Sequence, residues 1–174
     1  MDKRDYIDFQ ERTQPLGYLI TFRCYGTWLH GEERGSVDRR HYDRYGTPDM
    51  PANKKVLEDE KSSLKQSEFI LNELQRAVVT SAVREVCDHR AYTLYAVNAR
   101  TNHVHSVVGA ACKPEKIMNS FKSYARRKLR EANLISGDVK PWVRHGSTPY
   151  LWTDDQLRRA IDYVINGQGD VPFR

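Results

Sequence analysis

A chain of 174 residues, 39% hydrophobic, 10% aromatic and 29% charged, is long enough for one buried core and too short for two. That composition excludes wholesale disorder, and no uncharged apolar run approaches the ~20 residues of a membrane span. The net charge is +5, and seven basic residues between Lys113 and Arg130 stand against the single acid Glu115; this one stretch holds the whole surplus and reads equally as a solvated helix face or as a place where a polyanion would bind.

Residues 1–16 are polar, end at Pro15 and read as a flexible arm, with no apolar core of a secretion signal. From Gly17 to Leu29 the chain is β-branched and aromatic. Leu19, Thr21, Arg23 and Tyr25 alternate with Tyr18, Ile20, Phe22 and Cys24, which predicts a strand with one polar-tending face. Residues 30–55 hold three glycines, two prolines and many charges and read as a long loop insertion. Arg34, Arg39, Arg40, His41, Tyr42, Arg44 and Tyr45 stud it, and basic and aromatic groups together suit a single strand of nucleic acid as well as they suit solvent. Ser67 is placed to cap a helix whose stripe is Phe69, Ile70, Leu74, Ala77, Val78, Val83 and Val86, ending near Asp88.

Two strands follow, Tyr92 to Asn98 and His103 to Ala110, joined by Arg100-Thr101-Asn102 as an antiparallel pair. Pro114 opens a helix with Ile117, Met118, Phe121, Ala125, Leu129 and Ala132 on its buried face, and Gly137 is the predicted stop. Pro141 to Trp152 is less regular. The last helix begins at a capping box of Thr153 and Gln156, carries Leu157, Ala160, Ile161, Val164 and Ile165, and ends at Asn166-Gly167. The order predicts an α+β fold: a ferredoxin-like split βαβ sandwich with an antiparallel sheet and a C-terminal helix, provided the irregular stretch supplies a fourth strand. Residues 17–167 form one domain in this reading and 168–174 a tail. Cys24, Cys87 and Cys112 are scattered and read as buried thiols in a reducing, cytoplasmic setting.

The third strand reads Asn102-His103-Val104-His105. Residues i and i+2 of a strand share a face about 6.5–7 Å apart, so both imidazoles can turn to one divalent cation while Val104 packs behind them. The same spacing also suits two hydrogen-bonded surface histidines. A partner lies one element later. Tyr124, three residues after Phe121, sits on the shoulder of the apolar stripe; it serves equally as a packing residue or as a phenol facing a groove. A phenol with pKa ~10 becomes a nucleophile when cations favour its anion, a divalent ion polarises a phosphodiester, and Lys122, Arg126, Arg127, Lys128 and Arg130 would hold flanking phosphates, with Arg23 projecting from the first strand. That set is competent for transesterification of DNA through a covalent phosphotyrosine, the freed hydroxyl later rejoining the strand without ATP.

The string Asn102-His103-Val104-His105, the upstream strand, the basic helix with Phe121-Lys122-Ser123-Tyr124-Ala125-Arg126-Arg127, and the segment Trp142 to Gly167 together resemble the HUH endonucleases. More narrowly they resemble single-tyrosine transposases of insertion sequences and the REP-associated tyrosine transposases. The resemblance implies Mg²⁺ or Mn²⁺ on His103 and His105, Tyr124 as nucleophile, single-stranded or hairpin DNA as substrate, a homodimer in which a tyrosine can complete the partner's site, and a cytoplasmic, nucleoid-associated protein with no membrane partner. Two positions depart from the family. Its Gln or Asn ligand one turn after the tyrosine is Lys128 here, which cannot ligate a cation, so Glu131, Asn98 or His145 are the substitutes considered; and Asn166-Gly167-Gln168-Gly169 replaces an Asn-Pro. Two other readings stand beside transposition. One is a hairpin-binding or regulatory protein that no longer cuts. The other is a zinc hydrolase of small phosphoesters, against which the basic helix counts.

Overall fold

The strand Gly17–Cys24 (β1) buries Tyr18, Ile20, Phe22 and Cys24 in one apolar cluster and Leu19 in another, so it is packed on both faces. After it come helix α1 (Lys54–Ser62), helix α2 (Glu73–Arg90), strands β2 (Thr93–Ala99) and β3 (His103–Gly109), helix α3 (Pro114–Glu131), strands β4 (Trp142–Ser147) and β5 (Tyr150–Leu151), and helix α4 (Asp154–Ile165). The structure is a computed structural model and describes residues 13–33 and 51–167. The predicted arm up to residue 12, the loop side chains from Arg34 to Tyr45 and the tail 168–174 lie outside the described residues. Among the described residues no helix is long and apolar enough to cross a membrane.

The sheet order is β2-β3-β1-β4 with antiparallel neighbours, and β5 pairs with β1. Two crossovers, β1–α2–β2 and β3–α3–β4, therefore join parallel strands, and right-handed crossovers bring both helices to one face. There Val79, Ala82, Val83 and Val86 of α2 meet Ile117, Met118, Phe121, Ala125 and Leu129 of α3 over Ile20, Phe22, Val104 and Val108. This is the expected α+β split βαβ sandwich, the irregular stretch supplying both β4 and β5. The opposite face holds a smaller cluster of Leu19, Ala96, Val107 and Leu151, covered by Ala160 and Val164 of α4. Cys24 and Cys87 are buried free thiols, and burial pushes both up to about 12; Cys112 is half-buried.

Four element boundaries differ from the sequence reading. The predicted loop contains the start of α1, whose N-cap Asn53 accepts from Lys55 N and Val56 N; α1 buries no residue, so it writes no apolar stripe. Helix α2 starts at Asn72 instead of Ser67, because Asn72 and Gln75 cap each other reciprocally while Phe69 N and Leu71 N bond outward to Tyr25 O and Thr101 O. Helix α3 stops before Gly137: Asn133 takes a left-handed φ of 55° and Leu134 N closes on Leu129 O, leaving Ala132 exposed at the C-cap. Strand β1 ends at Cys24, since Gly26 (φ 73°) and Trp28 (φ 56°) leave extended geometry.

Candidate active site

Strand register arranges the α4 face in rows. Leu19, Val107 and Ala96 form the row beneath α4; Thr21, His105 and Asn98 form the next; Arg23 stands beside His103 beyond it. Alternation puts His103, His105 and Val107 on this face and Val104 in the core behind, as the spacing predicts. The two imidazole centroids lie 4.5 Å apart.

Each histidine is oriented through Nδ1. His103 Nδ1 is 2.6 Å from Asn102 Oδ1, and a carboxamide oxygen only accepts, so Nδ1 carries the proton of that contact and Nε2 is the nitrogen turned away from it. His105 Nδ1 is 2.6 Å from Thr21 Oγ1, so Nε2 is again the outward nitrogen, and it is an acceptor when Nδ1–H donates to the hydroxyl. Burial, then the neighbouring His103 and Arg100, push His105 down to about 3, so it is neutral at physiological pH. Two imidazoles, adjacent and held through Nδ1, fit a divalent cation as nitrogen donors. Among the described residues no group of three or more His, Cys, Asp or Glu gathers to complete such a site.

Helix α4 brings a tyrosine to this face. The ring of Tyr163 stands 5.3 Å from that of His105, edge to face, and Asn98 Nδ2 donates to Val164 O at 3.0 Å, fastening the last turn of α4 beside it. Sequence reading passed over Tyr163 as part of the family-like tail. Its signal was its place between Ala160 and Val164, the two buried residues of α4.

Tyr124 is elsewhere. It lies on α3, across the sheet from the histidines, so within one chain the expected shared pocket of phenol and imidazoles does not form. Its hydroxyl donates to Glu85 Oε2 on α2 at 2.8 Å, with Arg127 and Lys128 beside its ring. Lys128 pairs with the same carboxylate at 2.9 Å, and Lys128 first, Tyr124 next, hold Glu85 below the usual carboxylate range.

The basic helix is also largely engaged within the fold. Lys122 is buried, and its Nζ donates to Val143 O, Arg144 O and His145 O at 3.0–3.1 Å; this placement removes it from the predicted set of phosphate contacts. Burial, then Arg23, push the ammonium down to about 8. Arg126 braces the loop after α3 through Val139 O and Gly137 O. Arg127 is exposed and paired with Glu131, and Arg130 is exposed. Of the substitute ligands, Glu131 is on the wrong layer, Asn98 is in the row of His105, and His145 lies on β4 next to Gly146, whose Cβ position faces Met118 of α3.

A family model described as "Transposase IS200 like" matches residues 63–154, more than half of the chain. The match takes in the histidine strand and α3 and stops short of Tyr163. No curated protein matches the chain.

Proposed function

The chain belongs to the IS200-like transposase family, and on that premise we propose that it cuts and rejoins single-stranded DNA through a covalent phosphotyrosine, with Tyr163 as the nucleophile. The observation that carries this reading is the Tyr163 ring 5.3 Å from His105. The acting unit is the single domain of residues 17–167, and the DNA is a hairpin-bearing strand.

In this reading His103 and His105 hold Mg²⁺ or Mn²⁺ through Nε2, and the cation, when bound, supplies Lewis-acid polarisation of the scissile phosphodiester. Thr21 and Asn102 keep the two rings in the ligating tautomer. The Tyr163 oxygen attacks phosphorus, the P–O bond to the departing strand end breaks, and that end leaves as a hydroxyl. Attack by a hydroxyl on the tyrosyl phosphodiester reverses the step and restores the phenol. Arg23, next to His103, neutralises phosphate at the site, while exposed Arg127 and Arg130 contact DNA away from the cut linkage.

A second reading keeps Tyr124 as nucleophile and places it, across a homodimer, against the partner's histidines; the Glu85 carboxylate on its hydroxyl favours it as a built-in proton acceptor. Both are tested by incubating the protein with Mn²⁺ and labelled hairpin-bearing single-stranded DNA and scoring SDS-stable adduct. Tyr163→Phe is expected to abolish the adduct and Tyr124→Phe to retain it. The opposite pattern overturns the first reading for the second. Saturable binding without adduct under any divalent metal makes the protein a non-cleaving hairpin binder.

A further inference from the structure

Trp28 follows β1 in a backbone conformation that a bulky residue rarely takes. Its φ is 56°, a left-handed value that a residue with a Cβ takes only under strain. Arg23 secures it twice, donating from Nη1 to Trp28 O at 3.0 Å and laying its guanidinium 5.5 Å from the ring centroid. The indole then stands against His103, 4.9 Å between centroids and inclined by 47°. One residue earlier, buried Thr27 donates through Oγ1 to Cys24 O at 2.7 Å and to Asn102 O at 3.3 Å, and Cys24 N donates to the same Asn102 O at 2.8 Å. The loop therefore grips both the imidazole and the backbone of the asparagine that holds its Nδ1.

We propose that Trp28 is a positioning residue for His103, fixing the imidazole plane so that Nε2 points into the cation site. The proposal rests on the reading of His103 as a ligand. A hydrogen bond at Nδ1 does not by itself fix the plane of an imidazole, which swings about its side-chain torsions and carries its lone pair with it. His105 is confined by burial and by Tyr163, and His103, beside the His105 ring, has the indole of Trp28 against it. The flat ring closes off the swing, and Arg23 holds the flat ring. Strain in the Trp28 backbone is what such a contact demands of a loop that must turn an indole back over the sheet.

The test uses the full chain and Mn²⁺ alone, without DNA, with free metal read by electron paramagnetic resonance. Trp28→Ala and Trp28→Leu are expected to weaken Mn²⁺ binding about tenfold or more, the scale of lost outer-shell support, and Trp28→Phe, which restores a flat ring, to stay within about threefold of the unaltered protein. Melting temperatures of the Leu and Phe variants are expected to be alike, so that a general loss of structure does not explain the difference. Wild-type affinity in the Ala and Leu variants overturns the proposal. Mn²⁺ is also expected to quench the share of tryptophan emission that Trp28→Phe removes; absence of that quenching overturns the proposal even where the Ala and Leu variants do not fold. His103→Ala distinguishes the two levels: if it binds Mn²⁺ as well as wild type does, the ligand reading itself fails and the proposal with it.

Discussion

Thr21 and His105 are register partners across β1 and β3, and the threonine Oγ1 lies 2.6 Å from the histidine Nδ1. A strand position that elsewhere would be neutral thus selects which ring nitrogen faces outward. Thr21→Val keeps the β-branched shape and removes the oxygen. Its expected effects are Mn²⁺ affinity lowered about tenfold and stability lowered by about 1 kcal/mol, from a buried ring nitrogen left without a partner. Thr21→Ser should retain both properties. Metal titration and urea unfolding of the two variants check this, and unchanged affinity in the valine variant removes the threonine from the site.

The depressed His105 also sets how the metal-free protein answers to acid. Its folded pKa of about 3 lies below the ordinary 6.5. Between those values the unfolded chain binds a proton that the folded chain refuses, so stability falls as pH falls. The His105 contribution is at its full value above pH 6.5 and is lost progressively on the way down to about pH 3. Melting temperatures in chelator at pH 7, 6, 5 and 4 should therefore decline, and His105→Gln should decline less steeply. Equal slopes in the two proteins would falsify the assignment of that acid sensitivity to His105.

Gly167 closes the last turn of α4 against Tyr163, its N–H lying 3.0 Å from Tyr163 O. A Cβ at residue 167 would come within 2.9 Å of Tyr163 Cα and 3.0 Å of its ring, too close for the backbone and ring to stay in place. Gly167→Ala is expected to displace the phenol while leaving the apolar stripe of α4 intact. If Tyr163 is the nucleophile, adduct formation should fall on the order of tenfold to a hundredfold, as for small misplacements of reacting groups, with little change in melting temperature. An adduct rate equal to wild type would show that the turn does not set the position of the reacting oxygen.

One reciprocal cap and the alternating strands were legible because each is a local device, while the matching cap of Asn72 with Gln75 was hidden behind Ser67. Thr153 with Gln156 marked the start of α4, and residues 103–108 announced one histidine face and one core face. The placement of Tyr124 was not local. Two parallel crossovers fill one face with α2 and α3, so the apolar stripe of α4 has only the other face to cover, and that face carries the histidines. Followed to its end, that argument separates Tyr124 from the imidazoles and brings Tyr163 toward them. Lys122 also carried a signal, since it is four residues after Met118 and three before Ala125, within the buried stripe. Trp28 was hidden inside an apparent strand because nothing in Gly26-Thr27-Trp28 announces a left-handed tryptophan.

Lys122 gives the clearest separation between the charge pattern and the structure. Successive carbonyls of a regular strand point opposite ways, yet Val143, Arg144 and His145 all turn to one ammonium. The bend coincides with the register shift between Phe22 and Cys24 on the facing strand. Lys122→Met keeps an unbranched apolar side chain, removes the ammonium that lies 5.9 Å from the Phe22 ring centroid and leaves those carbonyls without their donor, for an expected loss of about 2 kcal/mol. Lys122→Arg should not restore it, because a planar fork does not match three converging oxygens. In urea the midpoint should fall with an unchanged slope. As a phosphate contact, Lys122 would instead lower the salt dependence of DNA binding when removed. The expected result is that Lys122→Met leaves that dependence unchanged while Arg127→Gln reduces it, and the reverse pattern would return Lys122 to the DNA.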